Sequence, residues 1–125
     1  MKKFSKSWKS SKDPGKQRKY KAQSPHHIKH TFLSAHLSKE LRILHKHRSL
    51  PIRKGDTVKI MRGNHKGKSG VVERVNTKRF VAYINGIEMT KRDGSKSFIP
   101  TITSNVLITA LTEDKRRFKK IGAIP

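Results

Sequence analysis

Histidine is the residue type best placed to do chemistry in this chain, and six of its seven copies fall between His26 and His47. His26 and His30 stand one helical turn apart, a spacing at which two imidazoles can chelate a divalent metal. Their surroundings oppose that use. The chain has no cysteine, and no carboxylate adjoins the pair. The neighbouring charges are Lys and Arg, whose field repels a dication. No metal or other cofactor is expected. Imidazoles set among cations suit contact with a polyanion instead.

The carboxylates are few. Asp56, Glu73, Glu88 and Asp93 are scattered over strands and turns, and no nucleophile is spaced to pair with a base. Asp56 follows Gly55 at a strand start and is expected to cap a turn. Gly67-Lys68-Ser69 lacks the four-residue spacer after a preceding Gly that a phosphate-cradling P-loop needs. The expectation is a protein that is not an enzyme and takes no small-molecule substrate.

The most organised stretch is Gly55-Asp56-x-Val58-x-Ile60-x-x-Gly63-x-x-Lys66-Gly67-x-x-Gly70-x-Val72-x-x-Val75. Glycines permit positive φ and close backbone approach, so the loop between the first two strands can be tight. Such a loop would present Arg62, Asn64, His65, Lys66 and Lys68 at short reach. Its peptide N–H groups could also meet phosphate oxygens.

Charge names the polyanion. Lys and Arg total 31 of 125 residues against 8 Asp and Glu, for a net charge of +23. A folded chain so charged repels itself unless a polyanion neutralises it, and nucleic acid is the usual candidate. Only 32% of residues are hydrophobic, so part of the chain lacks a core of its own. No apolar run reaches the length of a membrane span, and no membrane partner is expected. The basic start Met1-Lys2-Lys3-Phe4-Ser5 has no apolar stretch after it and does not read as a secretory signal.

Four segments position these groups. Residues 1–25 read as a basic RNA-binding tail without apolar periodicity, with a turn signal at Pro14-Gly15, expected to be disordered in water and to order on RNA. Its candidate contacts are Lys2, Lys3, Lys6, Trp8, Lys9, Lys12, Lys16, Arg18, Lys19, Tyr20 and Lys21. Cations would meet phosphates and aromatics would meet bases or ribose. Residues 26–50 read as helical: Leu33, Leu37, Leu41 and Leu44 form one apolar stripe, with Ser34 or Ser38 as an N-cap that would divide the segment into two short helices. His26, His27, Lys29 and His30 join the candidate contacts there.

Residues 51–112 read as five or six short strands that bury a small core by curling into a barrel. Val72 and Val75 are three apart, so a β-bulge is expected between them. Arg92-Asp93-Gly94 marks a hairpin turn. Residues 113–125 read as a short basic helix begun by Thr112, with Glu113 and Asp114 in its first turn.

The glycine-rich spacing resembles the KOW motif of ribosomal proteins and transcription elongation factors, which marks an SH3-like barrel that binds RNA or a protein partner. The resemblance extends further. Leu33-Ser34-Ala35-His36-Leu37-Ser38-Lys39-Glu40-Leu41-Arg42 is similar to the helical segment of the uL24 family of ribosomal proteins, archaeal and eukaryotic. Arg48-Ser49-Leu50-Pro51-Ile52-Arg53-Lys54-Gly55-Asp56 is similar to its join to the barrel, and Ser104-Asn105-Val106 to the start of its last strand. About residues 15–112 correspond in order. His36 stands where the family usually has Pro, and Thr103 where a Pro commonly precedes Ser-Asn-Val. The tail is shorter than in eukaryotic members, which favours an archaeal protein.

The resemblance implies a mainly β protein: a small SH3-like (KOW) barrel, a basic N-terminal extension with one or two short helices, and a short C-terminal helix. It implies a cytoplasmic, ribosomal protein of the large subunit. Such a protein binds the 5′ region of the large rRNA, supports early assembly and lies by the nascent-chain tunnel exit. Its partners would be rRNA and neighbouring large-subunit proteins. RNA contact carries over to Arg53, Lys54, the loop Gly63, Asn64, His65, Lys66, Gly67, Lys68 and Ser69, and the basic N-terminal stretch; Arg62, just before that loop, is a candidate by its own place and charge. Lys78 and Arg79, at the next turn, complete the expected surface.

Overall fold

The computed structural model describes residues 4, 5, 7, 8, 10–114 and 117. The N-terminal segment is not featureless. Asp13 caps a helix, α1 (Pro14–Gln23), by accepting from the Gly15 N–H at 2.8 Å. Pro14 supplies the pre-set φ of the first turn. At the other end the Ser24 hydroxyl donates to the Lys21 carbonyl at 2.7 Å, and Pro25 follows. No residue of α1 is buried, which is why hydrophobic periodicity gives no sign of it. Its caps are the legible feature, and Pro14-Gly15 begins the helix rather than turning the chain.

The segment expected to carry one leucine stripe divides in three. α2 (His26–Phe32) is followed by a strand, β1 (Ser34–Leu37), and then by α3 (Lys39–His45). Burial alternates along β1, with Ala35 and Leu37 inward. Leu33 and Leu37 do reach the core, but Leu44 is 72% exposed, so the four leucines share no face. Pairing overrides helix spacing here. β1 lies antiparallel to β2 (Ser49–Pro51), with Ala35 opposite Leu50, and parallel to the last strand. Ser38 caps α3, as expected of one of the two serines, its hydroxyl accepting from the Leu41 N–H.

The remaining strands are β3 (Thr57–Ile60), β4 (Ser69–Asn76), β5 (Val81–Ile84), β6 (Glu88–Thr90), β7 (Lys96–Phe98), β8 (Thr101–Ile102) and β9 (Val106–Ala110). Seven strands make one mixed sheet in the order β2-β1-β9-β3-β4-β5-β8. β2 and β8 end it, so the described pairings leave an open sheet, not a closed barrel. The added edge is β1 and β2, contributed by the segment read as helical. β6 and β7 form a separate hairpin around the expected Asp93-Gly94 turn. There the Ser95 hydroxyl and then its N–H donate to Asp93, holding that carboxyl below its ordinary pKa.

The register of β4 against β5 shifts between Val72 and Arg74, which makes Glu73 the extra residue of the expected bulge. The bulge lets Val72 and Val75 both face the core despite their odd spacing. Gly70 sits where the β3–β4 hairpin crosses β5: a Cβ there would lie 2.3 Å from the Asn85 carbonyl oxygen. One apolar core joins Leu33, Leu37 and Leu50 to Val58, Val72, Ile84 and Ile108.

Candidate nucleic-acid interface

The loop between β3 and β4 is braced from within. Ile60 N–H donates to the Lys68 carbonyl and Gly67 N–H to the Ile60 carbonyl, both at 2.9 Å. Gly67 adopts φ +88°, which an L side chain rarely takes up. Lys66 and Lys68 N–H groups also donate inside the loop, to Gly63 and His65 carbonyls. The amides of Lys66, Gly67 and Lys68 are therefore used inside the loop, and its side chains are what it projects. Arg62, Asn64, Lys66, Lys68 and Ser69 are exposed, and His65 is half-buried.

The turn after β4 is built the same way. Asn76 Oδ1 accepts from the N–H groups of Lys78 and Arg79, each at 3.0 Å, so both side chains project outward. A third basic surface is α1, where Lys16, Arg18, Lys19 and Lys21 are exposed, with Lys12 just before it. Lys2, Lys3, Lys6 and Lys9 lie outside the described residues, as does most of the helix expected over 113–125.

The tail aromatics are placed against one another. The Trp8 ring stacks on Tyr20 at 4.0 Å between centroids, and Phe4 packs on the same ring at 4.8 Å. Tyr20 meets Phe32 edge-on at 6.1 Å, and Phe32 meets Phe80 at 5.8 Å. Phe80, at φ +58°, begins the return into β5. This column ties α1 to the end of α2 and to the sheet. Trp8 and Tyr20 thus have protein neighbours that composition alone does not reveal.

α2 exposes His26, His27 and His30, with Lys29 half-buried. His27 and His30 line a cavity with Arg53 and Lys54. No group of three or more His, Asp or Glu among the described residues is arranged to hold a metal.

Behind that cavity lies an ion pair unforeseen in the sequence. Asp56 is 0% exposed. Its carboxylate accepts from Arg53 N–H at 2.9 Å, which is the expected turn cap, and from Thr112 N–H at 3.1 Å. It also accepts two bonds of 2.8 Å from the Arg117 guanidinium, a bidentate fork. Arg117 donates further to the Pro51 carbonyl at 2.6 Å. Arg53 is tied in turn to Asp114. These bonds fasten the chain after β9 to the join before β3. Asp56 and Arg117 are 61 residues apart, and only folding reveals their partnership. The other group missed is Arg74, whose guanidinium lies 4.6 Å from the Tyr83 ring centroid.

The comparisons with known proteins agree with this reading of the sequence. The family that comprises the eukaryotic ribosomal proteins L26 and their archaeal L24 counterparts matches over residues 11–123. A protein of Methanospirillum hungatei named large ribosomal subunit protein uL24 is 45% identical over 113 residues, covering 90% of this chain and 94% of that relative. A second protein of that name, from Methanoregula boonei, is 40% identical over 113 residues, covering 90% of this chain and 93% of its own length. The chain therefore belongs to this family of eukaryotic L26 and archaeal L24 ribosomal proteins.

Proposed function

We propose that the chain is a structural component of the large ribosomal subunit that binds and stabilises rRNA. The observation that carries this is the exposure of cations on three locally braced surfaces: the β3–β4 loop, the β4–β5 turn and α1. The names of the relatives support the assignment to the large subunit. The mechanism is neutralisation. Lys and Arg displace counterions from phosphates and let RNA segments approach that would otherwise repel. Recognition works on RNA shape, because A-form grooves hide base edges from side chains.

The finer reading follows the family: contact with the 5′ region of the large rRNA, support of early assembly, a position near the tunnel exit, and cytoplasmic residence in the ribosome. Neighbouring subunit proteins are the other partners. Within the fold, the strands β3, β4, β5, β8 and β9 correspond to an SH3-like KOW module whose edge is extended by β1 and β2. The bend at the β4 bulge and the single shared core support that correspondence.

Quantitative mass spectrometry across a sucrose gradient of native lysate, after a moderate-salt wash, tests the assignment. The chain should peak with the large subunit at about one copy per particle. Fractionation with RNA polymerase, free nucleic acid or light material would refute it. At the residue level, Arg62→Glu, Lys66→Glu and Lys68→Glu together should weaken rRNA binding. The slope of log affinity against log salt should fall by roughly 0.7–0.9 for each phosphate that is no longer neutralised. Unchanged binding would remove the loop from the interface.

A further inference from the structure

Carboxylates are scarce in this chain and weaken phosphate contact wherever they face it. Yet half of the eight gather at one place. Glu73, Glu113 and Asp114 line the cavity beside α2, and Asp56 stands behind it. Two of them are committed, Asp56 to Arg117 and Asp114 to Arg53. Glu73 is the extra residue of the β4 bulge, the kind of site where a side chain is re-aimed away from the strand's regular faces.

The cavity measures about 840 Å³, within the roughly 300–1,000 Å³ typical of small-ligand pockets. Ile52, Pro51 and Val75 give it apolar walls, and Lys54 and Arg74 bring cations to it. Arg117, 2% exposed, also lines it, and its Nε–H has no acceptor among the described residues. Apolar walls, an unused donor, a carboxylate and nearby cations do not suit a bare phosphate backbone. They suit a base with its flanking phosphates.

Resting on the RNA-binding reading above, we propose that this cavity receives one nucleobase unstacked from the bound RNA. The base lies against the apolar walls and stacks on the Arg74 guanidinium, which Tyr83 supports from its other side. Glu73 accepts from an exocyclic amine of the base, as carboxylates do in reading cytosine. Lys54 and His30 take the flanking phosphates. The ligand class is a single amine-bearing nucleotide, splayed from a loop or bulge of the rRNA.

The test uses the full chain and deproteinised large rRNA. Glu73→Met keeps the length of this exposed side chain and removes both acceptor oxygens together with the charge. If the cavity reads a base, the variant binds about tenfold more weakly, within the range of one good base contact. If Glu73 merely stands near phosphates, removing its charge leaves binding unchanged or tighter, and the proposal falls. Thr31→Trp, on the exposed surface of α2, fills the cavity without touching charge and should weaken binding to a similar degree.

Ultraviolet crosslinking of the wild-type complex, then nuclease digestion and peptide mass spectrometry, should place a mononucleotide adduct within residues 26–31, 51–54 or 73–77. Adducts confined to other peptides overturn the proposal. So does crosslinking of the cavity, in intact subunits, to a Lys-rich peptide of another protein. Absence of salt-dependent binding by the wild-type chain would instead overturn the RNA-binding reading itself.

Discussion

Replacing Asp56 with Asn should lower the stability of the RNA-free protein by about 4 kcal/mol. The figure follows from what the carboxylate holds. It accepts from two backbone N–H groups and from both terminal nitrogens of Arg117, in a site where both side chains are almost fully buried. Asparagine keeps the shape but carries one acceptor oxygen, so its amide turns donors toward donors on one side. Removing one partner of a buried ion pair costs about 3–5 kcal/mol, because the other charge is left uncompensated. An orphaned backbone N–H adds about 1–3 kcal/mol where it stays buried.

The two costs overlap, since Arg117 can swing outward and release its own share. A total of about 4 kcal/mol is a large fraction of the ~5–15 kcal/mol typical of a domain. Urea unfolding monitored by far-ultraviolet circular dichroism measures it. Arg117→Met should cost about 3 kcal/mol, and the double variant clearly less than the sum, with a coupling of about 2 kcal/mol. An Asp56→Asn unfolding free energy within about 0.5 kcal/mol of wild type, the scatter of ordinary surface changes, would refute the fastening of the C-terminal segment described above.

Trp8 is the chain's one tryptophan, so its fluorescence reports the aromatic column directly. Tyr20→Ala should shift its emission to the red in the free protein and cost about 0.5–1.5 kcal/mol through the missing stack; an unchanged spectrum would show that the column is not formed. Gly70→Ala should destabilise the sheet by about 1–3 kcal/mol in urea melts, because its Cβ meets the Asn85 carbonyl. A neutral result would mean that β5 yields without cost. Asp93 should titrate below the ordinary Asp range by NMR, and Ser95→Ala should raise it. The sign follows: the folded pKa is depressed, so the turn's contribution is present above the unfolded pKa and fades as pH falls through the folded one. An Asp93 titration unmoved by Ser95→Ala would refute the cause assigned.

How much of this was legible depended on the range of the contact. The β4 bulge could be read from two valines three apart, and the Asp93 turn from a dipeptide, because both are local. α1 was hidden from periodicity since it buries nothing, though Asp13 and Pro14 announce its start. The leucines failed for a different reason. Four residues at helical spacing satisfy a stripe, but Ser34–Leu37 also satisfies strand alternation, and the partners that decide between them lie on β2 and β9. The basic loop was found by its glycines, whereas the inward use of its amides needed the fold. The cavity had no sequence signature, because α2, the join, the bulge and the C-terminal segment each supply only part of it.

The place of β9 in the sheet bears on the birth of the protein. It runs between β1 and β3, yet among the described strands it is the last in the chain. Synthesis is vectorial, so the β1–β2 ribbon and the β3–β4–β5 meander emerge first and wait as two halves with a gap between them. Each shows the gap an unpaired edge, a hazard for pairing with another chain. Only when Val106–Ala110 clears the synthesising ribosome can the halves close on their shared core. The fold thus completes late and through distant contacts, an ordering that slows folding and lengthens the exposure of those edges.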